Sequence, residues 1–583
     1  MMQVESDLAA EYGTQFALGL GGELEELIDP IKAQLRIDVP RRAKAGDLVV
    51  SAPSVGDHHG THHWAPEGKA ESAISQVRFD RFVDALRRSP SIERVMRKGS
   101  QVVLTLSPCA LFNLICDTVL TQKDAFGTAG GETGHTWMVY YGNPNLNKAL
   151  HIGHMRSLCI GETIARMLES VGANVIRGSI ESDCGIHIAK TIIGRDHLAS
   201  PEERFHPRSD YAANQYYQLF ERHTARADSQ LSAAEQAGEM TLKWIEGDPD
   251  TREAFSSLTT DVAGGHAQTL RLVGVQFDRR FLESAAIARV PEIIALGMRL
   301  RVFRKREDGA IVVDQGHVRR EPVLVRANGI PTHLAVIVAH NAIVADEFAL
   351  HGTVGIEGSE FGDFLSVLTR VIGLLGYQAT GDSLLVNYGM VTSNNQKISS
   401  SKSRDFIIDD VVEASGTAIE SQLAESRYST CLLQDKGAAI RLATANLKFL
   451  LLGTNIYRNV AYDTAAMKRM SGRCGTALLL CNTRLSELSH GYVDAPLEDV
   501  TLTDRQRVLL AHMYRFPFVL HAAIRQVEPH RLAQGAYDLI RCANAGIGEA
   551  TSKSCERSTH LTKLWAACSV VLHRYLECLN IVH

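Results

Sequence analysis

Residues 137–177, "WMVYYGNPNLNKALHIGHMRSLCIGETIARMLESVGANVIR", run from an apolar stretch through a Pro/Asn turn and an amphipathic stretch to a second apolar run. "WMVYY" has the composition of a buried strand, and Ile160, Ile164, Met167, Leu168 and Val171 recur at helical spacing. Gly172 stands where a helix C-cap favours a left-handed residue, and "NVIRGSI" restarts a strand. A strand, helix and strand this closely spaced form a βαβ unit, the building block of a parallel sheet. In such sheets chemistry collects beyond the C-terminal ends of the strands. The fold class expected is therefore α/β.

The helix of this unit opens at "HIGH", residues 151–154. A helix N-terminus points unpaired N–H groups and the positive end of its dipole at one spot, which suits phosphate. Imidazoles at that spot donate where charge develops during attack on an α-phosphate. A lone histidine there is ordinarily structural. His151 and His154 around Gly153, with Lys148 just upstream, point instead to a nucleotide. Further along, "TSNNQKISSSKSRDFIIDDVV" (392–412) sets Lys397 and Lys402 in a Ser-rich polar loop after a strand. Lysines so placed suit a leaving pyrophosphate.

A chain of 583 residues exceeds one hydrophobic core and divides into domains. Residues 1–125 mix short helical and strand-like runs such as "SQVVLTLS" (100–107), and 127–137 reads as a linker. Residues 137–410 alternate strands and helices, interrupted by a polar helical excursion at about 197–265. Nothing strand-like follows about 410, so 411–583 is expected to form an α-helical bundle. Residues 430–583 hold 18 Lys and Arg against 12 Asp and Glu, while the whole chain is −5, so a basic last third sits on an acidic body. That asymmetry fits either a polyanion partner or a solvated helical surface. His58, His59, His62 and His63 share a loop without Cys or spaced carboxylates, so no metal site is expected. Eleven cysteines without a CxxC pair, no secretory signal and no 18-residue apolar run together lead us to expect a reduced, cytoplasmic protein off the membrane.

"KISSSK" paired with "HIGH" resembles the two signature motifs of class I aminoacyl-tRNA synthetases. "NPNLNKALHIGHMRS" is similar to the "SPNIAKPxHVGHLRS" of the arginyl-tRNA synthetase family. "SDCG" (182–185), "VGVQFD" (273–278) and "GIPTHLA" (329–335) stand where that family has "GDWG", "LGVxFD" and "GTPTYLA". "LRIDVPRRAKAGDLVVS" and "EPHRLAQGAYDL" (528–539) resemble its N-terminal and anticodon-binding domains, so the resemblance covers nearly the whole chain. It implies a Rossmann-like catalytic domain, an N-terminal α+β domain for the tRNA elbow and a C-terminal helical anticodon-binding domain. It implies ATP with Mg2+ as substrate, tRNA and an amino acid as partners, and a monomer. By the same resemblance Lys148, Gly153, His151, His154 and Lys397 serve ATP, and Lys397 and Lys402 the pyrophosphate. Asn145 holds the α-amino group, Asp183 shapes the pocket floor, and Tyr140, His333 and Ile337 line the side-chain wall.

Two departures concern that wall. The family places a glutamate five residues before the motif asparagine and an aspartate four residues after the tyrosine of "TYLARD"; here these positions hold Tyr140 and Ile337, with His333 for the tyrosine. Burying a guanidinium without a counter-charge costs several kcal/mol, on the order of what useful affinity requires. Cys184 also replaces the tryptophan of "GDWG", and the aromatic "FNSFYE" helix becomes "ANAGIGE" (543–549). Three readings follow: an arginine–tRNA ligase, a diverged paralogue activating an uncharged amino acid, and a non-catalytic tRNA-binding regulator. Survival of Lys148, His151, His154 and Lys397 favours an enzyme.

Overall fold

The computed structural model describes residues 36–38, 47–51, 76–99, 101–128, 132–224, 230–314, 321–358, 362–377, 382–393, 396–397, 406–425, 435, 437–492, 497–552 and 558–581. The four loop histidines (58, 59, 62 and 63) and Lys402 lie outside them. The chain divides into two compact units, one of residues 134–165 and 173–470, the other of 1–133, 166–172 and 471–582.

The first unit is built on a five-stranded parallel sheet. Its strands are β1 (Thr136–Tyr140), β2 (Asn174–Glu181), β3 (Arg279–Leu282), β4 (Gly352–Gly358) and β5 (Asp382–Tyr388), in the order β5-β4-β1-β2-β3. Trp137 pairs with Val175 on one side and Gly352 on the other, so β1 lies at the centre. Helix α1 (Ile152–Glu169) makes the crossover from β1 to β2. Its predicted stripe of Ile160, Ile164, Met167 and Leu168 is buried, each at most 3% exposed, and Gly172 takes φ +91° just past its end. Short parallel neighbours joined by such a crossover leave every loop after a strand on one edge, and the candidate residues of the HIGH turn lie there.

The excursion is more than a polar arm. Helices Ser209–Thr224, Gln230–Glu246 and Pro249–Leu272 pack on Ile186–Ile193 and bury Ile188, Ile192, Ala213, Phe220, Phe255 and Leu258. The strand Val323–Val325 joins an antiparallel sheet with Ile311–Val313 and Phe303–Lys305 rather than the parallel one. Helix α2 (His333–Glu347) follows and buries Leu334, Val338 and Ala342.

A small sheet completes this unit. Strand β6 (Val391–Ser393) runs antiparallel to β7 (Gln396–Lys397) and parallel to β8 (Val460–Ala461). The sequence predicts nothing strand-like beyond about 410, and β8 corrects that. Two residues carry no alternation of their own; their pairing is set by tertiary placement, with Val460 N–H donating to Met390 O (2.9 Å) and Tyr462 N–H to Thr392 O (2.8 Å).

The second unit has a four-stranded antiparallel sheet, ordered Arg36–Asp38, Leu48–Ser51, Gln101–Leu106, Ile92–Lys98, with helices Gln76–Arg88 and Pro108–Gln122. Helices Gly475–Leu488, Asp504–Tyr514, Phe516–Gln526, His530–Ser552 and Thr559–Cys578 also belong to it. Buried Lys563 has its Nζ 2.5 Å from Asp117, and partly buried Arg507 lies 3.0 Å from Asp47. Among the described residues no helix is long and apolar enough to cross a membrane.

Candidate nucleotide and amino-acid site

The loop from Tyr141 to Leu150 crosses the C-terminal edge of the sheet. Ser182 N–H donates to Pro144 O (3.1 Å) and Leu146 N–H to Ser182 O (2.9 Å), which sets Asn145 beside the end of β2. Asn143 takes φ +42°, a conformation asparagine tolerates better than most side chains. Its carboxamide spans the sheet, accepting from Ile180 N–H and donating to Glu357 at the end of β4, both at 2.9 Å.

At the start of α1 the two imidazoles stack with ring centroids 3.9 Å apart. Gly153 N–H donates to His151 Nδ1 (3.1 Å), and His151 N–H donates to His154 Nδ1 (3.2 Å). Both Nδ1 atoms are thus acceptors, which assigns the ring protons to Nε2. Burial holds the His154 pKa well below the ordinary histidine value, and the nearby His151 and Lys148 push it the same way. His154 is therefore a neutral Nε2–H donor at pH 7. The glycine between them leaves the ring its place: a Cβ on residue 153 would lie 2.8 Å from His151 Cε1.

Lys148 is partly buried beside this pair, and its carbonyl accepts from His266 Nε2 (2.7 Å), a buried residue of the excursion. The chain just after the Ser/Lys loop returns to the same turn. Ile152 N–H donates to Phe406 O (2.9 Å) and Ile408 N–H to Leu150 O (3.0 Å), with His151 paired to Ile407. Lys397 lies on β7, its backbone paired with Thr392.

Around the amino-acid side, Asp183 accepts from Ser284 N–H (2.9 Å) and Ser284 Oγ (2.5 Å). Burial raises its pKa, and the charge of Glu283 adds to this. Cys184 is buried, its thiol pushed up by burial. His333, exposed at the start of α2, has Nδ1 3.6 Å from Glu283 Oε1. Tyr140 packs edge-on to His340 (5.3 Å) and tilted to Phe281 (6.1 Å), whereas Ile337 packs into the core under α2. The structure therefore brings Asp183, His333 and Glu283 together but puts Tyr140 and Ile337 in different side-chain clusters. Two carboxylates stand nearby in the chain's fold: Glu283, just after β3, beside His333, and Glu357, at the end of β4, on Asn143.

Sequence reasoning did not single out Glu283, Glu357 or His266. The first two follow strand-like runs, and their position at strand ends was the available signal.

A family model described as "tRNA synthetases class I (R), catalytic domain" matches residues 116–443. The arginine–tRNA ligase of Treponema pallidum subsp. pallidum is 25% identical over 375 residues, 64% of this chain and 63% of that relative. The chain thus spans just under two thirds of that protein. The arginine–tRNA ligase of Borrelia turicatae is 24% identical over 507 residues, covering 82% of this chain and 86% of the relative. Among solved structures, Thermus thermophilus arginyl-tRNA synthetase superposes with a TM-score of 0.72 at 16% identity, over 98% of this chain and 99% of that one. The Plasmodium falciparum arginyl-tRNA synthetase gives 0.69 at 14% identity, over 98% and 97%. At such identities these two likenesses speak for the fold.

Proposed function

The chain belongs to the class I tRNA synthetase (R) family, and from that premise we propose that it activates arginine with ATP and transfers the arginyl group to tRNA. The observation that carries this reading is the histidine pair, whose tautomers are fixed by two main-chain N–H groups. In the reaction the arginine carboxylate attacks the α-phosphate, the bond to the β-phosphate breaks, and pyrophosphate leaves with Mg2+ accompanying the nucleotide. Preoriented Nε2–H donors at a helix N-terminus meet the charge that grows on the α-phosphate oxygens. Lys148 serves ATP, and Lys397 and Lys402 take the departing pyrophosphate.

Asn145, whose carboxamide makes no hydrogen bond among the described residues, receives the α-amino group. Glu283, backed by Asp183, supplies the counter-charge for the guanidinium near His333. The unit that holds residues 134–165 and 173–470 carries activation, while residues 1–125 and the helices beyond 470 handle the tRNA.

ATP–pyrophosphate exchange with each common amino acid, with and without tRNA, tests this, and arginine-dependent exchange is the expected result. Exchange with an uncharged amino acid and none with arginine would establish the second reading, a diverged activating enzyme, which the apolar packing of Tyr140 and Ile337 favours. No exchange with any amino acid would leave a tRNA-binding protein.

A further inference from the structure

Arg156 follows the histidine pair on α1 and has no solvent exposure. Its guanidinium meets no carboxylate among the described residues. Instead Nη1 donates to Gly389 O (2.6 Å) and Met390 O (3.2 Å), and Nη2 to Arg458 O (2.6 Å), Ile456 O (3.1 Å) and Asn455 O (3.4 Å). Burial draws its pKa down to about 10, which still leaves a cation at neutral pH. A buried cation facing only neutral acceptors is costly unless the acceptors are held in place around it.

The five carbonyls belong to two segments. Gly389 and Met390 lead into β6, and Asn455 to Arg458 lead into β8. Because β6 and β8 are parallel, Arg156 sits at the end where both begin. The segments also touch directly. Gly389 N–H donates to Ile456 O (2.8 Å), and a Cβ on Gly389 would lie 2.5 Å from the Arg458 carbonyl. β6 then turns into β7, which holds Lys397.

We infer that Arg156 is a positioning residue that fixes the β6–β7–β8 platform, and with it Lys397, against the turn carrying His151 and His154. This rests on the role proposed above for Lys397. The guanidinium touches no substrate; it sets the distance between two groups that do. His154 and Arg156 share α1, and His151 immediately precedes it, so the carbonyl cage transmits the placement of α1 directly to the strand beside Lys397.

The test uses Arg156→Lys in the full chain, which keeps the charge but loses the planar fork. Amide hydrogen exchange should accelerate at residues 389–393 and 456–462 and stay unchanged in β1, β2 and β4. Pyrophosphate exchange should lose kcat by about 10- to 100-fold, with the KM for ATP nearly unchanged, as for a displaced catalytic group. In a Lys397→Ala background the same substitution should cost little further, because the group it positions is gone.

Equal loss in both backgrounds, or accelerated exchange spread over the parallel sheet, overturns the proposal. Should Arg156→Lys fail to fold, Gly389→Ala separates the two segments with Arg156 intact and should give the same three results; its failure to do so is equally fatal. If the unmodified protein shows no exchange with any amino acid, the functional reading has failed. The protection pattern then still decides whether Arg156 organises the platform.

Discussion

The main-chain N–H of His151 donates to Nδ1 of His154 across 3.2 Å, so the second imidazole keeps a backbone anchor besides the stacking of the first ring. His151→Ala should therefore leave His154 in place, and each single substitution should remove one donor. We expect His151→Ala and His154→Ala each to slow adenylation by about 10²–10³ with the fold retained, the usual effect of losing a donor at developing charge. Pyrophosphate exchange together with circular dichroism checks this; normal rates in both variants would exclude a catalytic role for the pair.

Gly153→Ala tests the same turn by steric means. The new Cβ meets the His151 ring at 2.8 Å and must turn it off its Nδ1 contact. A displacement of that size costs about 100-fold in rate where geometry matters. Single-turnover adenylation should slow accordingly while the melting temperature changes little, and an unaffected rate would show that the ring position is not used.

Lys397→Ala should slow activation while ATP affinity is retained, the signature of a group used mainly in the transition state. Equilibrium ATP binding and single-turnover rates separate the two. Weakened binding at a normal rate would make Lys397 a docking residue only.

Glu283→Gln addresses the guanidinium. It removes the charge beside His333 and preserves the shape. The KM for arginine should rise by about 100-fold with the KM for ATP unchanged, since an unpaired buried cation loses its water without compensation. Should arginine kinetics stay normal, another acid serves the guanidinium, and Glu357 is the next to substitute.

His340 governs a pH dependence of stability. It is 3% exposed, packed between Tyr140 and Phe281, and burial lowers its pKa to about 4. Below the unfolded value of about 6.5 the unfolded chain binds a proton that the folded one refuses, so stability is full above that pH and falls as pH drops toward 4. One such group contributes a slope of about 1.4 kcal/mol per pH unit in that window. His340→Phe should flatten the decline in the urea-denaturation midpoint between pH 6.5 and 4.5; parallel curves for the two proteins would refute this assignment. His521, lowered likewise, will keep part of the slope.

How much of this was legible depends on whether a residue's partners are local. The β1–α1–β2 unit was, because the stripe from Ile160 to Leu168 and the runs around it follow from periodicity within one segment. The histidine pair was legible for the same reason, since the two hydrogen bonds that orient its rings lie within one turn. Glu283 was not, because its placement near Asp183 depends on β3 lying beside β2, a strand order no local pattern states. β8 escaped because its two residues are made a strand by Met390 and Thr392. Arg156 was hidden most completely: main-chain carbonyls leave no trace in the side-chain sequence.

That last property bears on how the chain can vary. The guanidinium of Arg156 addresses oxygens that every residue type possesses, so Met390, Asn455, Ile456 and Arg458 can be exchanged without changing what it meets. Gly389 alone has no such latitude, since any larger residue collides with the Arg458 carbonyl. A mutational scan of these five acceptors should therefore divide four to one. The same connection can persist in distant descendants of this chain under quite different letters, recognisable only by one arginine and one glycine.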